Sequence, residues 1–160
     1  MNELSVIELF AGQRADGSSV VERLQVLAQE DDSFILVRSP VFVKGIARGD
    51  KIKLNKSDQS FELLERSGNL SIRVFAKEDI EQLAEDLTPL FEKMGGQLDV
   101  ENERTLVFSI HVSCGFSQIE RLLNDHVGEE TDSAWFYGNV YDPKDGVTPL
   151  NWWVDILKPQ

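Results

Sequence analysis

The sequence predicts an α+β protein in which a small β-barrel-like unit, residues 1–69, packs on a ferredoxin-like (βαββαβ) α/β sandwich, residues 70–160. In the first half, short apolar segments alternate with closely spaced turn clusters such as Asp16-Gly17-Ser18-Ser19, a spacing typical of a meander or small barrel. The second half follows the order strand, helix, hairpin, helix, strand. Since no long linker separates the halves, we expect one packed unit.

The first half contains a corner at Pro40–Asp50 between its predicted strands. Pro40 cannot donate to a sheet, and Gly45 and Gly49 suit positive φ angles. Asp50 is placed to accept hydrogen bonds from backbone amides in the turn. The glycine spacing fits neither the dinucleotide nor the P-loop pattern, which excludes a phosphate-binding loop. The predicted strands are residues 5–10, 20–29, 34–37, 51–54 and 61–66.

The second half opens with a strand at residues 70–75 and a long amphipathic helix that ends near Met94. Pro89 should kink or restart this helix because it lacks an amide donor, and Gly95-Gly96 should end it in a left-handed cap. The apolar stripe of the helix consists of Ile80, Leu83, Ala84, Leu87, Leu90, Phe91 and Met94.

A hairpin and a second helix follow. In the second hairpin strand, residues 105–112, one face should carry Leu106, Phe108, Ile110 and Val112 and the opposite face Thr105, Val107, Ser109 and His111. Ser117 and Glu120 have the spacing of a capping box at the start of the second helix, residues 116–127. The last sheet strand is predicted at residues 134–141, and a final extended segment at residues 151–157.

Charge is unevenly spread along this ordinary globular composition of 41% hydrophobic and 28% charged residues. The net charge is −12, and residues 70–160 carry −10 of it, with 7 Lys and Arg against 17 Asp and Glu. Such a field repels phosphate backbones and favours basic partners, although an acidic surface also serves solubility alone. The sequence shows no signal peptide and no apolar run of about 18 residues, so we expect a cytoplasmic protein.

Two sets of side chains are the predicted protein-binding residues. The acidic face of the first helix offers carboxylates, and the C-terminal third offers aromatic rings among aspartates that disfavour RNA stacking. The alternatives are a solvated helix face and a purely hydrophobic core. The predicted binding residues are Glu78, Glu81, Glu85, Asp86, Trp135, Tyr137, Trp152 and Trp153.

No complete catalytic, metal-binding or phosphate-binding motif is present, so we expect no enzyme activity, no cofactor and no metal. One alternative is a thiol or hydrolytic enzyme in which His111 activates Cys114 near a helix N-terminus. Cys114 is the single cysteine, which excludes an internal disulfide. A second alternative is weak nucleic-acid binding through the basic residues Arg38, Lys44, Arg48, Lys51, Lys53 and Lys56.

Three motifs together resemble a small bacterial family of unknown function. They are Pro40-Val-Phe42, the segment Gly45-Ile-Ala-Arg-Gly-Asp50, and Ser67-Gly68 followed by Ile72-Arg73-Val74. The resemblance covers most of residues 20–140. It implies the predicted fold and a bacterial cytosolic setting, and it supplies no activity.

A shorter segment, Ala134-Trp-Phe-Tyr-Gly-Asn-Val-Tyr-Asp-Pro143, resembles the terminal strand of the type B regulators of ribonuclease activity. That family has a ferredoxin-like fold and acts by binding a nuclease, without catalysis. The resemblance spans ten residues and transfers no functional residue. Together these observations predict an acidic protein-binding module of inhibitor, immunity or regulatory type. The acidic charge favours a partner with a basic surface.

Overall fold

The computed structural model describes residues 3–158, which form two antiparallel sheets connected in sequence. The first sheet is a five-stranded meander in which each strand pairs with the next along the chain. Three of its turns use the same device: Asp16, Asp31 and Asp58 each accept hydrogen bonds from the backbone amide and hydroxyl of the serine two residues later. Its strands are β1 (Glu3–Gln13), β2 (Ser19–Ala28), β3 (Ser33–Leu36), β4 (Lys51–Asn55) and β5 (Ser60–Glu65).

This sheet is open, so the predicted barrel-like closure is wrong. Within residues 3–158, β1 and β5 lie at opposite ends of the strand order and form no ladder with each other. Phe10 N of β1 donates to the carbonyl oxygen of Gln59, the residue before β5, at 2.9 Å. Closing a barrel requires the two edge strands to pair along a staggered register, and these two strands do not pair within the described part of the chain.

The second sheet has the order β7-β8-β6-β9, with helices α1 and α2 following β6 and β8. Its neighbouring strands are all antiparallel. Short 3₁₀ helices precede and follow α2 at Val112–Cys114 and Glu129–Thr131. The elements are β6 (Asn69–Ala76), α1 (Ile80–Lys93), β7 (Gln97–Glu101), β8 (Thr105–His111), α2 (Phe116–His126), β9 (Ser133–Tyr137) and α3 (Trp153–Ile156).

Helix α1 ends as its sequence predicts. Gly95 has φ of 84° and donates to Glu92 O at 3.0 Å, while the Gly96 amide donates to Phe91 O at 2.7 Å. These two bonds form a Schellman cap, which satisfies carbonyl groups that the helix leaves free. Pro89 lies inside the helix, which continues through it without a restart.

Each sheet covers its own hydrophobic cluster. The first sheet buries Leu9, Val26 and Ile52, and the second packs the helices against Ile72 and Phe108. The boundary between residues 69 and 70 stays a prediction.

The second sheet is covered on both faces. In β8, Thr105, Val107 and Ser109 are buried, like the alternate residues that face the helices. The covering element is the connecting loop, residues 37–50, which lies against this face through Ser39 and Val43. Sequence alternation separates the two faces of β8, but it does not show that a segment distant in sequence buries the face of Thr105, Val107 and Ser109.

Three local predictions in the second half are wrong. β9 ends at Tyr137 rather than at residue 141. The segment predicted as extended contains the four-residue helix α3. Gly115 is the N-cap of α2, and no side chain caps it, so Ser117 and Glu120 form no capping box. No helix among residues 3–158 has the length and apolar character that a membrane crossing requires.

Candidate functional site

Buried polar groups join the connecting loop to the second sheet. The Asp99 carboxylate accepts from Ser39 N at 2.8 Å and from the Ser109 hydroxyl, and its other oxygen pairs with Arg48 Nη1 at 3.0 Å. Ser39 Oγ lies 2.6 Å from Ser109 Oγ and accepts from Arg48 N at 2.9 Å. Every member has a partner, so the network fixes the loop against the sheet.

Two charged side chains hold the middle of this loop. Glu22 of β2 accepts three backbone amides, those of Val41, Phe42 and Val43, at 2.6 to 2.9 Å. Arg73 of β6 donates to the carbonyl oxygens of Phe42 and Val43. The backbone of this segment is therefore hydrogen-bonded by side chains from both sheets instead of by a strand neighbour.

Asp50 closes the end of the loop, as its position after Gly49 predicts. Its carboxylate accepts from Ala47 N at 2.9 Å and Ser67 N at 2.8 Å, and Arg66 Nη1 lies 4.0 Å away. Burial raises the pKa of Asp50, while the hydrogen bonds from Ser67 and Ala47 oppose that rise. The corner motif therefore has a structural role in this protein.

An acidic groove lies between α1 and the β7–β8 hairpin. It has a volume of about 680 Å³ and is open to solvent. The predicted residues Glu81 and Glu85 line one wall, and Glu101 and Glu103 line the other. Asp79, the N-cap residue of α1, stands at one end. The groove gathers five carboxylates from two elements.

The remaining predicted acidic residues lie outside this groove. Glu78 is exposed before α1, and Asp86 is exposed on the helix, where it accepts from Gln82 Nε2 at 3.0 Å. Sequence analysis missed Glu101 and Glu103, because nothing in the hairpin sequence shows that its tip faces α1.

The predicted aromatic residues pack together on the helix side of the second sheet. Trp135 and Tyr137 are half-buried and donate to Asn124 Oδ1 and Glu120 Oε2, each at 2.9 Å. Burial raises the pKa of Tyr137, and the hydrogen bond to Glu120 raises it further. Phe116 contacts the rings of Tyr137 and Trp153. These rings pack mainly against the hydrophobic core of the second half.

Trp152 and Trp153 fix the C-terminal segment to the second sheet. Trp152 Nε1 donates to Asn139 O at 2.8 Å, and the Arg66 guanidinium lies 5.2 Å from the centre of its ring. The two indoles contact each other edge to face with their centroids 5.5 Å apart. Both rings are half-buried, so only part of each is available to a partner.

A second pocket lies along the outer edge of β9. This edge pocket has a volume of about 560 Å³. Residues from four segments line it: the connecting loop, β6, α2 and the chain from β9 to residue 146. They include Lys44, Arg73, Phe75, Phe136, Gly138 and Tyr141. The sequence identified the aromatic residues as a cluster and missed Arg73, which in a strand pattern looks like an ordinary outward-facing position.

The structure does not bring His111 and Cys114 into contact within its described residues. His111 Nδ1 lies 2.8 Å from Ser113 Oγ and accepts from Ser113 N at 3.1 Å. The Cys114 thiol donates to Met94 O at 3.0 Å. Each side chain is thus occupied with a local backbone or hydroxyl partner, and a nucleophile–base pair is not formed in this arrangement.

The basic residues of the first half divide between structural and exposed positions. Arg48 pairs with Asp99, and Lys51 Nζ lies 3.1 Å from Asp31 Oδ2. Arg38, Lys44, Lys53 and Lys56 are exposed. Across residues 3–158, no three His, Cys, Asp or Glu side chains converge in a way that would hold a metal ion.

A family model for a domain of unknown function, DUF4265, matches residues 22–134. The chain belongs to the DUF4265 family. This agrees with the family of unknown function that the corner and strand motifs indicated. The DUF4265 match includes Glu22, the connecting loop and Asp99, and it ends before the last residues of β9.

Comparison with solved structures found similarity to a crystal structure of a hypothetical protein from Neisseria gonorrhoeae. The TM-score is 0.66 at 18% identity, and the alignment covers 85% of this chain and 94% of that chain. At this identity the likeness shows a shared fold. A comparison with curated proteins gave no match.

Proposed function

We propose that this DUF4265 protein is a non-enzymatic binding module that engages a basic protein partner through its acidic groove. The observation that carries the proposal is the convergence of Glu81 and Glu85 with Glu101 and Glu103 on one open surface. Two sequence-distant elements contribute these carboxylates, so the groove is a product of the fold rather than of one acidic run.

The electrostatics of the groove favour a cationic partner. Within residues 3–158, none of these four glutamates forms an ion pair with a lysine or arginine of the chain. Carboxylates held close together raise the local negative potential, and a basic partner relieves that repulsion. The −10 charge of residues 70–160 extends the field around the groove and speeds the encounter with such a partner.

We also propose that residues 69–137 form a ferredoxin-like sandwich that acts as a rigid platform for this groove. The order βαββαβ and the strand order β7-β8-β6-β9 support this assignment. An inhibitor, immunity or regulatory role and a cytoplasmic location are parts of the same proposal.

The test is a salt-dependent pull-down with the full chain, followed by titration of the captured partner. Glu81→Lys combined with Glu85→Lys should weaken binding at least about tenfold at low salt, because both changes reverse charge within the groove. Partner identity comes from mass spectrometry of the proteins that are released as salt rises, and affinity from calorimetry.

The control is Glu92→Lys combined with Glu130→Lys, which gives the same net charge at exposed positions outside the groove. This variant should bind within about twofold of the wild type. Equal weakening in both variants would mean that only overall charge matters. A partner retained at high salt, or one indifferent to the groove variant, would overturn the proposal.

A further inference from the structure

The edge pocket holds a buried cation, Arg73, that no carboxylate of the described chain contacts directly. Arg73 is only 5% exposed, and its guanidinium donates to the carbonyl oxygens of Phe42 and Val43. Among residues 3–158, no carboxylate lies within ion-pair distance of it. Burial lowers the pKa of Arg73 to about 10, although the charge of Glu22 opposes this. A buried charge without a directly paired counter-ion is costly, and at a pocket such a group is a candidate for recognising an anion.

Two polar atoms beside this guanidinium lack partners. Arg73 Nε and Ser71 Oγ are both buried, and neither has a hydrogen-bond partner within the described chain. Gly138 lines the pocket next to them, and a Cβ there would stand 3.1 Å from Arg73 Nε and 2.6 Å from Ser71 Oγ. Because most buried polar groups are satisfied in native proteins, the unpaired Nε donor beneath Gly138 leaves the Arg73 guanidinium with capacity for a further acceptor.

The rest of the pocket fits the body of a small molecule. The rings of Phe75 and Phe136 are inclined to each other by 56° with their centroids 6.0 Å apart. Phe136 and Tyr141 are 56% and 40% exposed. Lys44 supplies a second, exposed cation at the same pocket. The volume of about 560 Å³ lies within the range of ligand pockets, which combine apolar walls with a few placed polar groups.

Two acidic residues limit the charge that the pocket accepts. Glu120 lines it and accepts the Tyr137 hydroxyl, while Asp142 lines it and accepts Lys144 N at 2.9 Å. With two cations and two carboxylates around the cavity, a doubly charged phosphate meets repulsion that a single carboxylate largely avoids. The guanidinium is also well suited to a planar carboxylate.

We propose that the edge pocket binds a small aromatic monocarboxylate, with its carboxylate between Arg73 and Lys44 and its ring on Phe136 and Tyr141. This site is separate from the acidic groove and extends beyond the proposed protein-binding function. The occupant is identified by its chemistry: one negative charge at one end and a flat apolar body at the other.

The experiment uses the full chain with three probes of one shape, namely 2-naphthoate, 2-naphthamide and 2-naphthyl phosphate. Binding is followed by calorimetry and by amide chemical shifts of Phe136, Gly138 and Tyr141. We expect 2-naphthoate to bind at one site and to move these amides. The amide probe should bind at least tenfold more weakly, and the phosphate more weakly than the carboxylate.

Variants separate this site from a non-specific apolar surface. Lys44→Gln should weaken 2-naphthoate about fivefold or more, and Phe136→Ala should weaken both 2-naphthoate and 2-naphthamide. Lys53→Gln removes an equally exposed charge from β4 and should leave binding unchanged. Both Lys variants alter exposed side chains, so the fold is retained and any loss is attributable to the pocket.

Three outcomes would overturn the proposal. Equal affinity for 2-naphthoate and 2-naphthamide would show that no cation recognises the ligand. Tighter binding of the phosphate would show that the ligand class is wrong. Absence of binding to all three probes at millimolar concentration would show that the pocket is not a site for this chemistry.

Discussion

Single aspartates illustrate how the fold assigns different roles to one residue type. Asp50 is buried and its pKa is raised by desolvation, whereas Asp31 is exposed and its pKa is lowered to about 2. The largest cause at Asp31 is the hydrogen bond from the Ser33 hydroxyl, followed by Lys51. Asp31 thus favours the folded state when ionised, and Asp50 favours it when protonated.

The first prediction concerns acid stability and Asp31. Because its folded pKa of about 2 lies below the ordinary 3.8, its contribution is present above pH 3.8 and is lost as the pH falls through 2. Asp31→Asn keeps an oxygen that can accept from Ser33 but removes the charge. We therefore expect a shallower loss of stability than in the wild type, measured by urea unfolding between pH 5 and pH 2.

Asp32→Asn is the matched control, since Asp32 is an exposed neighbour in the same turn and asparagine tolerates its φ of 64°. It should follow the wild-type profile. Parallel profiles of stability against pH for the wild type and Asp31→Asn would contradict the assignment of this acid-dependent stability to Asp31.

At the scale of elements, β9 ends where a side-chain hydrogen bond replaces a backbone hydrogen bond of the sheet. Gly138 N donates to Ser71 O at 2.7 Å, but Ser71 N donates to Asn139 Oδ1 at 2.9 Å instead of to a backbone carbonyl. The free Gly138 carbonyl then accepts Gly45 N at 2.8 Å from the connecting loop. One buried amide therefore ends the strand and releases a group that holds the loop.

The second prediction is that Asn139→Ala destabilises the protein by about 2–3 kcal/mol, because buried donors and acceptors lose their partners. Asn139 is fully buried and also donates to Asn69 O at 2.9 Å. Urea unfolding gives the magnitude, and hydrogen exchange should show lost protection at the Ser71 amide.

Asn124→Ala is the comparison, since Asn124 is exposed and accepts a single hydrogen bond, from Trp135 Nε1. It should cost no more than about 1 kcal/mol. Equal costs for the two variants would show that the Asn139 bonds contribute little.

The sequence predicts those elements whose signals are local. The stripe of α1 and its Gly95-Gly96 end depend on residues within a few turns, and both were predicted correctly. The end of β9 depends on Asn139 bonding to Asn69 and Ser71, some 70 residues away, and no local pattern contains that information. The segment at residues 151–157 was taken as extended, because a helix of four residues is too short to show periodicity.

The same distinction separates the predicted from the missed parts of the sites. Glu81 and Glu85 follow from the polar face of an amphipathic helix, whereas Glu101 and Glu103 join them only through tertiary packing. Arg73 alternates with apolar neighbours in β6 like any outward-facing strand residue. Its burial is a consequence of the connecting loop lying over it.

At the scale of the whole molecule, one polar network links two hydrophobic clusters. Asp99, whose side chain is fully buried, binds Ser39 and Arg48 of the connecting loop and Ser109 of the second sheet. Glu22 links the same loop to the first sheet. The connecting loop is therefore bound to both sheets at this junction, and we expect the two sheets to unfold together.

The third prediction tests this coupling with Asp99→Ala. Removing one partner of a buried network leaves Ser39 N and the Arg48 guanidinium without their acceptor, which should cost about 2–4 kcal/mol. All three tryptophans lie in the second half, so fluorescence reports its unfolding. Hydrogen exchange of the Leu24 and Val26 amides reports the unfolding of β2. The free energies of unfolding obtained from fluorescence and from exchange should fall by the same amount.

Asp125→Ala, an exposed change on α2, should stay within about 0.5 kcal/mol of the wild type. Loss of stability in the second half alone, with β2 protection unchanged, would show two independently folding domains.

The way in which the connecting loop is held has a consequence for folding kinetics. Its partners lie far away in sequence: Ser39 bonds to residues 60 and 70 positions later, and Glu22 reaches residues about 20 positions ahead. Such contacts join the loop to residues of β2, β7 and β8, so we expect the loop to order late in folding, after the main barrier. Substitutions at Glu22 or Ser39 should therefore accelerate unfolding and leave the folding rate almost unchanged. We therefore expect the loop to govern how long the folded protein persists rather than how quickly it forms.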